Sequence, residues 1–201
     1  VIAVNPRLRR LQADYGSIRE TFSGHANVKV DPVGSRRPPE VYEIEYSVPG
    51  LRLEDGKAVP ADTHLVELML PRRYPSEAPY AVPKTPVFHP NIREYYCIAD
   101  DWRAGTPIVD VIFKMGDMIQ WRDYNLASPL NDEAADWAAK EQQSDSFPVG
   151  QVDLGVAEFR LTEKASSQDS KVSDYTPVTP SAETEPDDTL LVKIRSGDRK
   201  A

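Results

Sequence analysis

Residues 85–92 read Thr85-Pro86-Val87-Phe88-His89-Pro90-Asn91-Ile92, with Cys97 five positions later and Trp102 five after that. The octapeptide closes a stretch with prolines at 71, 75, 79, 83, 86 and 90. Each proline removes a backbone donor and pushes its predecessor out of the helical region, so no helix runs through this spacing. The segment is expected to be extended and turned. Its Tyr74, Tyr80, Val82, Val87 and Phe88 are expected to pack on the domain instead of floating as a linker.

Upstream of it, Asn5-Pro6 reads as a helix cap with proline at the first helical position. Leu8, Leu11, Tyr15, Ile18 and Phe22 then form the apolar stripe of an amphipathic helix that Gly24 ends. The other face carries Arg7, Arg9, Arg10 and Arg19, which read as a solvated surface or as partner contacts. Val28 and Val30 begin a first strand. Tyr42, Ile44, Tyr46 and Val48 alternate with polar residues as a second, and Val66, Leu68 and Leu70 follow after a polar loop as a third. Short connections between alternating strands predict an antiparallel β-meander.

Downstream, Thr106-Pro107 reads as another capped start, with Ile108, Val111, Ile112, Met115 and Ile119 on the buried side of a second helix. A third helix begins near Asn131 and carries Ala134, Ala135, Trp137 and Ala138. The fold class is therefore α+β: an N-terminal helix, an antiparallel meander, a proline-rich crossover and C-terminal helices, over residues 5–142. Residues 143–201 form a C-terminal extension. Its stretch 164–189 has the Ser, Thr, Pro and Asp content of disorder, and the apolar islands Val152–Leu161 and Leu190–Ile194 interrupt the extension.

The 201 residues carry 24 Lys plus Arg against 32 Asp plus Glu, a net charge of −8 that argues against a nucleic-acid partner. No apolar run approaches the ~20 residues of a membrane span, and the first residues lack a signal peptide's charged and apolar regions. No membrane partner and a cytoplasmic location are the expectation. With one cysteine, Cys97, neither a disulfide framework nor a Cys-rich zinc site can form, and His25, His64 and His89 show no ligand spacing. Neither a metal nor an organic cofactor is expected.

Function turns on Cys97. A cysteine hydrolase needs a histidine within hydrogen-bond reach of the thiol, and His89 is only eight residues away, but it sits inside the proline segment and no glycine-rich nucleophile turn surrounds Cys97. The order of elements points elsewhere. Helix, antiparallel strands, Tyr74-Pro75, the 85–92 octapeptide, Cys97 and Trp102, then Ser128-Pro129-Leu130-Asn131 and Glu133-Ala134-Ala135, resembles the ubiquitin-conjugating enzymes over residues 5–142.

The resemblance implies that fold and two acyl transfers. Cys97 would take the C-terminal acyl group of a ubiquitin-like modifier from an activating enzyme, which alone consumes ATP, and an amine of a target protein would then attack the thioester, with or without a ligase. Asn91 would supply the oxyanion donor or order the loop that gives the geometry. His89, Pro90 and Trp102 would be structural, Ser128 would stand at the gate beside the cysteine, and Arg7, Arg9 and Arg10 would bind the activating enzyme. Asn91 would otherwise be an ordinary turn residue, and Asp100 and Asp101 an exposed acidic loop. The chain departs from the family in several places. Only Ile92–Tyr96 separate Asn91 from Cys97, the Cys97–Trp102 gap is compressed, and Ser76 follows Tyr74-Pro75 where many members carry an aromatic residue. These departures suggest a divergent, bacterial-type conjugating enzyme. The rival reading is a non-catalytic binding module of the same fold, and a thiol exposed in a groove beside the Asn91 amide would favour the enzyme.

Overall fold

The computed structural model describes residues 5–141, 144 and 147–155. The stretch 164–189, the island Leu190–Ile194 and most of the island Val152–Leu161 lie outside the described residues. The chain begins with helix α1, Pro6–Phe22, where the Asn5 side chain accepts from the Arg7 N–H and Pro6 occupies the first turn. Ser23 follows, and Gly24 at φ +80° turns the chain away, a conformation that favours a residue without Cβ.

The buried side of α1 is not quite the expected stripe. Leu11, Ile18 and Phe22 are buried as read, but Leu8 is exposed and Asp14 takes a place in the buried row. An inward carboxylate must be satisfied. Here the Arg10 Nε lies 2.9 and 2.8 Å from its two oxygens, and the Tyr74 hydroxyl donates to it at 2.6 Å. Arg10 also donates to the carbonyls of Ala104 and Thr106 and lies over the rings of Tyr74 and Trp102 at 5.3 and 6.0 Å. Arg10 thus joins α1 to the segments around Tyr74 and Trp102.

The reading of Arg7, Arg9 and Arg10 as one free face is corrected accordingly. Arg7 pairs with Glu40 at 2.6 Å and donates to the Pro71 carbonyl, and of the three only Arg9 is exposed. Long charged side chains read as surface from periodicity alone, because only the tertiary partners reveal where the head goes.

The main sheet is antiparallel in the order β1 (Val28–Pro32), β2 (Val41–Tyr46), β5 (His64–Met69) and β6 (Tyr80–Pro83). Tyr42, Ile44 and Tyr46 are buried between exposed Glu43 and Glu45, the half-buried alternation read from the sequence. The polar loop expected between the second and third strands is instead a hairpin of β3 (Gly50–Glu54) and β4 (Lys57–Ala61). Its turn is Asp55-Gly56, both at positive φ (49° and 71°), as a two-residue hairpin requires.

The crossover from β6 carries the His-Pro-Asn turn and the cysteine, and leads to helix α2 (Ile108–Ile119). Ile108, Val111, Ile112, Met115 and Ile119 are all buried, with Phe113 and Met118 beside them. Thr106 does not cap this helix. Its hydroxyl accepts from the Arg103 N–H, and Pro107 holds the cap position with no side-chain bond. Helix α3 (Asp132–Glu141) is capped by Asn131, whose Oδ1 accepts from the Ala134 N–H.

Packing continues past Gln142. Leu154 is buried in the main core, the His25 ring bonds its carbonyl, and the buried Gln120 amide exchanges hydrogen bonds with both backbone groups of Val152. Trp121, at φ 63° and fully buried, centres a second cluster with Phe88, Trp137 and Phe147 that supports the turn at His89.

The Asp14 cluster gives a direct contrast between neighbours on one helix. Arg10→Ala strands a carboxylate that is only 7% exposed and should cost about 3 kcal/mol in urea unfolding. Arg9→Ala should change stability by less than about 0.5 kcal/mol. Equal effects from the two substitutions would return Arg10 to an ordinary surface role.

Candidate active site

The turn is built by hydrogen bonds within it. The Asn91 N–H donates to His89 Nδ1 at 3.1 Å, and the Ile92 N–H to the His89 carbonyl at 3.3 Å. Ile92 then bridges to Tyr96, and the Cys97 N–H donates to the Asn91 carbonyl at 3.0 Å. The chain between them is therefore a closed loop with Arg93, Glu94 and Tyr95 exposed at its tip. The short Asn91–Cys97 gap keeps the cysteine against the asparagine. The Tyr96 N–H donates to the Ala81 carbonyl on β6, which anchors the loop to the sheet.

Three side chains singled out from the sequence meet here. Asn91, Cys97 and Ser128 line one cavity of about 100 Å3, together with Asp100, Lys114 and Asp123. Asn91 is 6% exposed, and its amide is fully engaged. Nδ2 donates to the Asn125 and Ser128 carbonyls at 2.9 and 3.3 Å, and Oδ1 accepts from the Asn125 N–H at 2.6 Å. Of the roles open for Asn91, ordering the facing loop is the one these bonds perform. Ser128 is exposed, and it is held by its carbonyl.

Pro90 is buried and accepts at its carbonyl from the N–H groups of Leu130 and Asn131, fixing the start of α3. Trp102 lies outside the cavity. It packs on Tyr74 with ring centroids 5.5 Å apart and donates to the Pro75 carbonyl, anchoring the far end of the cysteine loop. Arg7, Arg9 and Arg10 do not line the cavity either.

Cys97 is a half-buried free thiol whose Sγ lies 3.7 Å from an oxygen of Asp100. Burial pushes the thiol up from its ordinary value; Asp100 and then Asp101 push it further, and Lys114 opposes them. Lys114 itself, from α2, pairs with Asp101 at 2.8 Å and Asp123 at 2.6 Å. Burial disfavours its charge, but the two carboxylates outweigh that and raise it. Sequence reading passed over Lys114 and Asp123, since one lysine on a mostly apolar helix carries no motif.

None of the three histidines lines this cavity. His89 is fully buried with its ring 4.9 Å from that of Trp121, and burial lowers its imidazole to about 3, with Lys114 adding to this and the Asp123 backbone opposing. It is a neutral structural group and no base for the thiol. Among the described residues, no three His, Cys, Asp or Glu side chains are grouped to hold a metal ion, and no helix is long and apolar enough to cross a membrane. No family model matches the chain, and no curated protein matches it.

The state of His89 sets a pH dependence. Its pKa is depressed in the folded chain, so the unfolded chain binds the proton first. Stability is complete above about pH 6.5 and falls as pH drops toward the folded value. Between about pH 6.5 and 4.5 the loss from His89 alone should be about 2 kcal/mol. His64, also buried and shifted down, adds to it in the same direction. Urea unfolding at the two pH values measures this, and His89→Gln should show a smaller fall. An equal fall in that variant would place the proton elsewhere.

Proposed function

We propose that this chain has the ubiquitin-conjugating-like fold and carries a ubiquitin-like modifier as a thioester on Cys97, passing it to an amine of a target protein. The observation that carries the reading is the placing of Cys97 in one cavity with the Asn91-tied loop and Ser128, away from any histidine base. The order of elements supports it: a leading helix, a four-stranded antiparallel sheet, the cysteine loop and two later helices.

In the first step the Cys97 thiolate attacks the modifier's acyl carbon. The C–S bond to the activating enzyme breaks, and that enzyme's thiol keeps the proton Cys97 gave up. In the second step an amine nitrogen attacks the same carbon, the Cys97 C–S bond breaks, and the amine's proton returns to the thiol. Thiol exchange is nearly balanced in energy and needs no strong base. A thiol held up by burial and Asp100 is a poor nucleophile towards bystanders, and as an acceptor it charges faster as pH rises. Asn91 orders the loop, His89 and Pro90 shape the turn, and Trp102 anchors the loop's end. Of Arg7, Arg9 and Arg10, Arg9 is the exposed one and is open to the activating enzyme. The partners are the modifier, the activating enzyme and the target, with or without a ligase, in the reducing cytoplasm that suits a free thiol.

A second reading, a non-catalytic binding module, draws on burial and the same carboxylate at 3.7 Å, which together favour the protonated thiol. Incubation with ATP, a ubiquitin-like modifier and its activating enzyme separates the two. The wild type should gain one modifier in a bond cleaved by added thiol, Cys97→Ser a slower adduct that resists it, and Cys97→Ala none. An adduct on Cys97→Ala, or none on the wild type, overturns the conjugation reading.

A further inference from the structure

The cavity at Cys97 lies between the cysteine loop on one side and the loop after α2 on the other. Two side chains cross it. Asn91 is the first: its carbonyl holds the Cys97 N–H while its amide holds Asn125 and Ser128. Lys114 is the second, with Asp101 of the cysteine loop and Asp123 of the opposite loop both within 2.8 Å of its Nζ.

We propose that Lys114 is a positioning residue of the Cys97 site. Through its double ion pair it sets the width of the groove between the two loops and leaves Asp100 as the carboxylate that faces the thiol. The inference rests on the conjugation reading only in taking Cys97 as the reacting atom.

The physical case starts from α2. Its buried stripe fixes the helix in the core, so a side chain leaving it is a stable post. Lys114 is 21% exposed and its stem is packed, which removes much of the freedom that weakens surface lysine pairs. Without it, Asp101 and Asp123 would face each other and the thiol with no cation between them, and like charges at that range repel. With it, the two carboxylates share one cation, and Asp100, 3.7 Å from Sγ, is the unpaired carboxylate beside the thiol that an arriving ammonium group meets. The titratable groups that line the cavity with the thiol are Asp100 and Asp101 of its own loop, Lys114 of α2, and Asp123 and Tyr124 of the following loop. Asn91 and Ser128 line it uncharged.

Alkylation of the full chain by iodoacetamide across a pH series tests this without any modifier, so its outcome is independent of the conjugation assay. The chain has a single cysteine, which makes the label unambiguous. Two quantities are read, the midpoint of the rate profile and its high-pH plateau. Lys114→Met should raise the midpoint, slowing alkylation at about pH 7.5 by about threefold or more. It should also raise the plateau by about twofold or more as the groove opens. Lys114→Arg should restore both. If Lys114→Met does not fold, Asp101→Asn removes one arm at a residue whose side chain is 68% exposed, and it should lower the midpoint while raising the plateau. A moved midpoint with an unchanged plateau in both substitutions would make Lys114 a charge and no clamp, and overturns the proposal. So does a wild-type profile in either folded variant, or a Lys114→Arg protein that behaves like Lys114→Met.

Discussion

One buried amide holds the functional region together. The turn at residues 89–91 and the loop at 123–128 belong to neither helix nor sheet, so their backbone groups have no ladder to satisfy them. Buried backbone donors and acceptors without partners are costly. Asn91 supplies the partners: its side chain takes the N–H and C=O of Asn125 and the C=O of Ser128, and its own carbonyl takes the Cys97 N–H. Asparagine suits the position because it carries donors and an acceptor on one short planar group. Aspartate would turn the two donor contacts into repulsions, and glutamine would put the amide one methylene too far.

The surroundings of that amide explain how a turn of prolines can be rigid enough to present a thiol. His89 is buried beneath it as a neutral ring against Trp121, and Pro90 accepts two N–H groups at the head of α3. Trp102 and Arg10 close the other end of the cysteine loop onto α1. The loop is therefore anchored at both ends, and charge decides what happens between them: two carboxylates and burial raise the thiol, and one lysine restrains them. No histidine lines this cavity, so the site lacks the thiol–imidazole pair of a cysteine hydrolase.

Much of this was legible in the sequence where a local rule governs. Asn5-Pro6 starts a helix because capping is local, Tyr42 to Tyr46 alternates because one face of the sheet is buried, and the proline spacing forbids a helix through the crossover. Asn91, Cys97 and Ser128 could be singled out, and they do line one cavity. The misses share a cause. Arg10 looked like surface and Asp14 drew no reading because their partners, Tyr74, Ala104 and Thr106, are remote in sequence. Lys114 and Asp123 met only on folding, and Trp121 gained its place from a cluster spanning Phe88 to Phe147. The hairpin at Asp55-Gly56 is different: its turn signal was present, and the polar flanks masked it.

Amide hydrogen exchange at Asn125, followed by NMR in the wild type and in Asn91→Ala, tests most directly whether the Asn91 tie organises the site. Asn125 donates to Asn91 Oδ1 at 2.6 Å, so its N–H should be protected in the wild type. Removing a partner of that kind costs about 1–3 kcal/mol locally, and protection should fall by about 10- to 100-fold in the variant while amides within α2 keep theirs. Unchanged protection of Asn125 in Asn91→Ala would mean that the loop is held by something else, and would contradict the account.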